Sequence, residues 1–355
     1  MKKSTLGLVG CSQLSLYLSQ SAHSYGLFTS GLSSKKSDPA GNAVNMWISG
    51  KSNKIKDLKK ISQNSQTVFF EEKMNFSIDQ LKKNKITSFP SVTHLNLFAD
   101  LWTTKEILFD FNISQIPYIK MHSSDDFQFA FNFFKKNIVF KNRFSEKNKL
   151  DTFLIQNLIQ LKNFQKKIKG FENDYIAEPN MDVKSEHRLI VARNKKSQLS
   201  SFPVLTLKQT KKQYDTILVS KLNALENKNL KNLLHKVKSM LDKIDYVGVM
   251  TIQMFKLKNQ FYLYDIDARP TNTGMITMNG FNINQFDLHI RCFLNEDLSE
   301  IKQLKSKIIC KYIISGQKKY LTPKVLKQNK NIQIFMYGKT GTKKNRKLGH
   351  VIFTD

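Results

Sequence analysis

Residues 246–294, YVGVMTIQMFKLKNQFYLYDIDARPTNTGMITMNGFNINQFDLHIRCFL, constrain this chain more than any other stretch. Positions 247–255 are rich in β-branched and large apolar residues and predict a strand. Lys258, Asn259 and Gln260 predict a polar turn, and positions 261–267 a second strand. Together they predict a β-hairpin with a loop of about three residues. With Asn259 as turn centre, Gln253 stands opposite Asp265 and Thr251 opposite Asp267. Directly opposed Cβ atoms lie roughly 4.5–5.5 Å apart. Side chains two apart on a strand share a face, so Gln253, Asp265, Asp267 and Arg269 line one surface. Gln and Asp supply the oxygens that hard cations take. Spacing alone favours an ordinary polar face of a half-buried hairpin. The run RPTNTG at 269–274 predicts an extended, turn-prone loop. Asn282 or Asn284 then caps a helix through Leu294, with Phe286, Ile290, Phe293 and Leu294 on its apolar side.

The runs GVMTIQMF, YDIDARPTNTGMIT and NQFDLHIR follow one another in this order. They resemble the end of the ATP-grasp core of the 5-(carboxyamino)imidazole ribonucleotide synthases, ATP-dependent ligases of purine biosynthesis. A collinear match of this length is far more specific than a short motif. Arg269, Asn272, Gly274, Gln285 and Phe286 agree with the family. Its two metal-binding glutamates correspond to Gln253 and Asp265, and its histidine after the turn to Met275.

The 355 residues predict two or three domains. No apolar run approaches the length of a transmembrane helix, so no membrane role is expected. The opening MKKSTLGLVG reads as a strand and turn rather than a secretion signal, because Gly7, Gly10 and Ser12 interrupt its apolar part. Cys11, Cys292 and Cys310 have no metal or redox spacing, and free thiols fit a reducing cytoplasm. The net charge of +29 raises the question of nucleic acid. Arginine, which makes bidentate base contacts, occurs only at 143, 188, 193, 269, 291 and 346. The excess is lysine spread along the chain on solvated faces, which makes a nucleic-acid role a remote alternative. Anionic substrates gain from the positive field in any case.

Taken in order, residues 6–9 predict a strand, 10–15 a turn into a helix ending near Gly26, and 27–29 a second strand, a β-α-β opening. A glycine turn before a helix can hold an anion. Gly10, Gln13 and Leu14 match the family's opening, where Gln13 would face substrate. Residues 67–70 predict a buried strand. Glu72 after it matches the family's glutamate at the carboxylation site, although an exposed strand end fits the local sequence equally. Asp100 and Lys105 resemble the family's helix whose lysine reaches the nucleotide phosphates. Residues 127–134 predict an aromatic amphipathic segment that is part of the core.

The strand at 138–140 leads to Lys141, the residue that serves as the second phosphate lysine if the alignment shifts by one from Phe140. The family then has a glycine-rich lid, whereas positions 144–151 carry no glycine. Glu178 and Glu186 keep the spacing of the family's adenine-hinge and ribose carboxylates. A carboxylate accepts twice and suits a ribose diol. Leu230, Leu233, Leu234, Val237, Met240, Leu241 and Ile244 predict a long helix, with His235 solvated. Positions 308–314, 332–336 and 350–353 predict strands. Lys339 and Arg346, in YGK and NRKLGHV, resemble the pair that grips the ribonucleotide phosphate, with Gly338 and Gly341 permitting tight turns.

The resemblance implies an α/β and α+β ATP-grasp protein in three parts. These are a Rossmann-like N-terminal domain (1–97), an ATP-grasp domain (98–300) and a β-rich C-terminal domain (301–355), the last expected to be truncated relative to the family. It implies ATP and Mg2+ as cofactors, with aminoimidazole ribonucleotide and bicarbonate as substrates, and a homodimer by analogy. The reaction is ATP-dependent carboxylation of the ribonucleotide. Glu72, Arg269, Lys339 and Arg346 would act in catalysis, and Lys105, Lys141, Glu178, Glu186 and Asp265 would hold the nucleotide. Gln253 and Asp265 would hold the metal, and Gln13, Arg269, Asn272, Lys339 and Arg346 the substrate. Gln253, Met275 and the lid leave a second reading, an impaired relative that binds nucleotide or a protein partner.

Overall fold

The chain opens with β1 (Ser4–Val9), α1 (Gln13–Ser24), β2 (Thr29–Ser33), β3 (Met46–Ser49), α2 (Ile55–Asn64) and β4 (Ser65–Phe70). The four strands are parallel in the order β3-β2-β1-β4. A central parallel strand is covered on both faces, which is why Leu6, Leu8 and Val9 all lie buried. The second strand starts at Thr29, two residues later than its sequence suggests. Chain order reverses between β1 and β4, the kind of switch point where doubly wound sheets open a crevice. The coordinates, a computed structural model, describe residues 4–72, 76–144, 152–181, 185–210, 213–316, 331–339 and 344–355. Of the expected lid only Phe144 lies within them, and Gly341 lies outside.

Helices α3 (Ile78–Lys83), α4 (Val92–Leu97) and α5 (Leu101–Asp110) lead to a small sheet. It is built from β5 (Ile119–Lys120), α6 (Ser124–Phe133), β6 (Ile138–Asn142), β7 (Thr152–Ile155), α7 (Leu158–Ile168) and β8 (Tyr175–Pro179), with strand order β5-β8-β6-β7. Phe127, Phe131, Phe140 and Phe164 form its core. Only one face of α6 is buried; Phe129 and Phe133, also expected inside, are 59% and 61% exposed. An amphipathic helix has one core stripe, and the aromatic run is longer than that stripe.

The large sheet comprises β9 (Glu186–Arg193), β10 (Leu199–Ser201), β11 (Leu205–Thr210), β12 (Gln213–Val219), β13 (Gly248–Leu257), β14 (Gln260–Asp267), β15 (Ile308–Ile314), β16 (Ile332–Met336) and β17 (Lys347–Thr354). Its order is β14-β13-β9-β11-β12-β15-β17-β16, with β10 on β9. The last three strands therefore continue the sheet that carries the hairpin. Between β12 and β13, α8 (Ala224–Lys243) buries Leu233, Val237, Met240 and Leu241 and leaves His235 exposed. After the hairpin, α9 (Gln285–Leu294) is capped by Asn284, whose Oδ1 accepts the N–H groups of Phe286 (2.8 Å) and Asp287 (3.0 Å). Its buried stripe includes Leu288, His289 and Cys292, while Leu294 is 37% exposed. His289 Nδ1 accepts the Val249 N–H at 3.1 Å, and burial pushes its pKa down to about 3, so the ring stays neutral. Helices α1 and α9 pack together through Tyr17 and Phe286 and through a Ser21–Asp287 hydrogen bond. The N-terminal sheet is thereby joined to the hairpin region.

The hairpin turn differs from expectation. Leu257 pairs with Gln260, so the loop is Lys258-Asn259 alone, with Lys258 at φ +53°. Two-residue turns of positive φ match strand twist better than longer loops. The shorter loop shifts the register by one, and an irregularity after Gln253 shifts it back: Met254 faces Leu263, but Gln253 faces Asp265 and Thr251 faces Asp267. Tyr264 is the extra residue of this bulge.

Candidate active site

The bulge shapes the hairpin's polar face. Gln253 Nε2 donates to Asp267 Oδ2 at 2.9 Å and to Asp265 Oδ2 at 3.2 Å. Arg269 Nη2 lies 3.2 Å from Asp267 Oδ1. The four residues that alternation placed on one surface are therefore linked there. Next to them in the sheet, Arg188 of β9 pairs in register with Gln253. Its Nη2 donates to Glu186 Oε2 at 2.7 Å, and the Tyr264 hydroxyl donates to the same oxygen at 2.8 Å. Two donors fix the Glu186 carboxylate. The Tyr264 ring stacks on Phe255, with centroids 4.3 Å apart.

The small sheet and the helix before it supply the cations. Lys105, fully buried on α5, places Nζ 2.6 Å from Glu178 Oε1 and donates to the Ile116 carbonyl at 3.2 Å. Lys141 Nζ is 2.6 Å from Glu178 Oε2 and 5.7 Å from the centre of the Tyr264 ring. Phe140 points the other way, stacking on Phe164 in the core. Strand alternation thus selects Lys141, not Phe140, as the residue facing the cleft. Burial pushes the Glu178 carboxyl up, but the charges of Lys141 and Lys105 outweigh it and hold the group below the usual carboxylate range. Asp265 lies close enough to add to the field at Lys105. Asp100 caps α5 through the Trp102 N–H (3.0 Å) and holds Arg143 Nε at 2.8 Å, a structural role.

A cavity of about 250 Å³ opens beside the hairpin, lined by Gln13, Arg188, Gln253, Asp267, Arg269 and Asn272 among others. Gln13 Nε2 donates to Asn272 Oδ1 at 2.8 Å, and the Tyr312 hydroxyl of β15 donates to the Asn272 carbonyl at 2.5 Å. N-terminal helix, loop and C-terminal strand thus meet at Asn272. Gln13 Oε1 and Arg269 Nε are buried here without a partner among the described residues. Such groups cost free energy unless a ligand or water satisfies them.

Glu71, not singled out from the sequence, fills the start of α1. Its carboxylate accepts from the Ser12 N–H (2.8 Å), the Leu14 N–H (3.1 Å) and the hydroxyls of Ser12 and Ser15. The anion site expected at this glycine turn is occupied by the chain's own side chain. Glu72 is exposed and borders a small gap with Asp267 and Arg269. Lys339 Nζ lies 5.2 Å from the Tyr337 ring centre, and the Arg346 N–H donates to Ser315 Oγ at 3.0 Å. Neither lines the 250 Å³ cavity. Lys347, also unmarked by the sequence reading, places Nζ 3.7 Å from the centre of the ring of Tyr312, whose hydroxyl reaches Asn272, and burial pushes its pKa down to about 8. Met275 is wholly buried.

A cleft with Lys105, Lys141 and Glu178 on one side and the carboxylates of the hairpin on the other defines an ATP-grasp protein. The family model for the ATP-grasp domain matches residues 106–286, just over half of the chain, and the chain belongs to that family. The model for the phosphoribosylaminoimidazole carboxylase C-terminal domain matches residues 313–355. Within the family the likeness is to the N5-carboxyaminoimidazole ribonucleotide synthases, along the whole chain. That of Staphylococcus aureus (strain MRSA252) is 26% identical over 352 residues, 98% of this chain and 91% of that protein. The crystal structure of N5-carboxyaminoimidazole synthetase from Staphylococcus aureus complexed with ADP superposes with a TM-score of 0.85 at 24% identity, covering 100% of this chain and 94% of that one. The Aspergillus clavatus synthase in complex with ADP and 5-aminoimidazole ribonucleotide gives 0.84 at 19% identity, with 100% and 94% covered.

The family's magnesium fits these residues. Two carboxylates reach one amide nitrogen, so that nitrogen marks a point where a cation can meet both. Among the described residues no group of three or more His, Cys, Asp or Glu side chains is arranged for a metal. That agrees with an ion completed by phosphate oxygens and water.

Proposed function

We propose that this chain is an ATP-dependent carbon–nitrogen ligase that carboxylates 5-aminoimidazole ribonucleotide with bicarbonate, in purine biosynthesis. The observation that carries the reading is the cleft itself: Lys105, Lys141 and Glu178 on one wall, Asp265 and Glu186 on the other, with Tyr264 between. Lys105 and Lys141 neutralise phosphate oxygens, Glu178 sits at the adenine end and Glu186 accepts from the ribose hydroxyls. Bicarbonate oxygen attacks the γ-phosphorus, ADP leaves, and carboxyphosphate forms. It breaks into carbon dioxide and phosphate, and the ribonucleotide amine takes up the carbon dioxide as a carbamate, losing a proton.

Arg269 stabilises the charge that develops on carboxyphosphate, with Glu72 near it. Gln13 and Asn272 orient the ribonucleotide, and Lys339 and Arg346 neutralise its phosphate. Asp265 and Gln253 would hold magnesium, which would shield the phosphate charges. The division at 97/98 and 300/301, a cytoplasmic location and a homodimer belong to the same reading. Three buried free thiols support the location, and no helix among the described residues is long and apolar enough to cross a membrane.

The test is phosphate release from ATP and bicarbonate, measured with and without the ribonucleotide. Release that depends on the ribonucleotide is expected. Tight ADP binding without release would instead select the impaired relative, a reading favoured by the Gln253 amide where an anion is expected.

A further inference from the structure

Asp265 and Asp267 lie two residues apart on β14, so alternation turns both to one face. Gln253, across the hairpin, donates to an oxygen of each. An amide N–H group carries a partial positive charge, and here it fills the point that both carboxylates reach. Asp267 divides its oxygens: Oδ1 faces Arg269 at 3.2 Å, and Oδ2 faces the amide at 2.9 Å. The start of α1 gives an independent sign of a missing ligand. Gln13 is 8% exposed and lines the same cavity as Asp267, and its Oε1 has no partner among the described residues. A bare buried acceptor in the cavity that Asp267 lines calls for a bound group that presents positive charge or donors.

We infer that Asp267, together with Asp265, would supply the anionic ligands of the cation that accompanies the nucleotide, with the Gln253 amide turning aside. This rests on the function proposed above. It shifts the charge-bearing pair from one residue on each hairpin strand to two residues on β14. Net charge at the face is then that of two carboxylates, although position 253 is neutral. A magnesium ion takes one or two carboxylates and completes its shell from phosphates and water, so the pair suffices.

The test uses Mn2+ as the probe, with free Mn2+ measured by electron paramagnetic resonance in the presence of saturating ADP. Asp267→Asn is expected to weaken Mn2+ binding about tenfold or more, since even outer partners of metal ligands account for that much. ADP affinity without metal should stay as in the unaltered chain. Asp110→Asn, at an exposed position on α5 outside the cavity lining, separates a ligand from the mere loss of one negative charge: it should bind Mn2+ normally. The double variant Gln253→Glu/Asp267→Asn moves the charge across the hairpin and should recover most of the lost affinity, which also guards against misfolding of the single variant. Unchanged Mn2+ binding in Asp267→Asn would overturn the assignment, as would an equal loss in Asp110→Asn. An unaltered protein that takes up no ADP at all would overturn the proposed function, and this assignment with it.

Discussion

Glu178→Gln is expected to abolish nucleotide binding and to destabilise the protein by about 3–5 kcal/mol, the range for breaking a buried ion pair from one side. Glu178 is 2% exposed and is shared by two ammonium groups, one of them on a fully buried lysine. The amide keeps the volume but leaves Lys105 without its counter-charge, and an uncompensated buried cation is the costly outcome. Calorimetric unfolding and ADP titration check the two parts. A pH dependence follows with a definite sign. The folded-state pKa of Glu178 lies below its unfolded value. Its contribution is therefore complete above the ordinary carboxylate range and is lost as pH falls through the depressed folded value. Unfolding midpoints of the unaltered protein should drop on acidification, and Glu178→Gln should flatten that drop.

Arg269→Lys is expected to lower kcat by about 10²–10³, the usual consequence of removing one donor aimed at developing negative charge. The guanidinium engages Asp267 through Nη2 and leaves Nε buried and unpartnered beside the cavity. Lysine keeps the charge but not the fork, so it cannot hold the carboxylate and present a second donor together. The KM for ATP should change little, because the nucleotide lies against Lys105, Lys141 and Glu186 in this account. Steady-state kinetics check both. A large rise in the KM for ATP with unchanged kcat would move Arg269 to ground-state nucleotide binding.

Much of the site was legible because strand periodicity is local. Alternation alone put Gln253, Asp265, Asp267 and Arg269 on one face. The register came out right at the site although the turn is one residue shorter than expected, because the bulge at Tyr264 restores the pairing. A bulge depends on packing across the sheet and leaves little trace in one sequence, so the part Tyr264 plays between Glu186 and Lys141 stayed hidden. Alternation within β6 could have chosen Lys141 over Phe140, since buried Phe140 fixes the opposite face. The pairing of Lys105 with Glu178 joins residues far apart in the chain, and the resemblance supplied each one without their contact. Glu71 was missed for a similar reason: only the adjacency of β1 and β4 brings it to the start of α1. On α9 the apolar stripe was placed slightly off, because Leu294 at its end reaches solvent while His289, a polar type, is enclosed by Phe69 and Phe89.

The most direct measurement is a crystal structure with ADP and 5-aminoimidazole ribonucleotide bound. The diphosphate is expected between the Lys105 and Lys141 side chains and the carboxylates of β14, with the ribonucleotide against Gln13 and Asn272. A nucleotide seated elsewhere, with Lys105 and Lys141 still closed on Glu178, would contradict it.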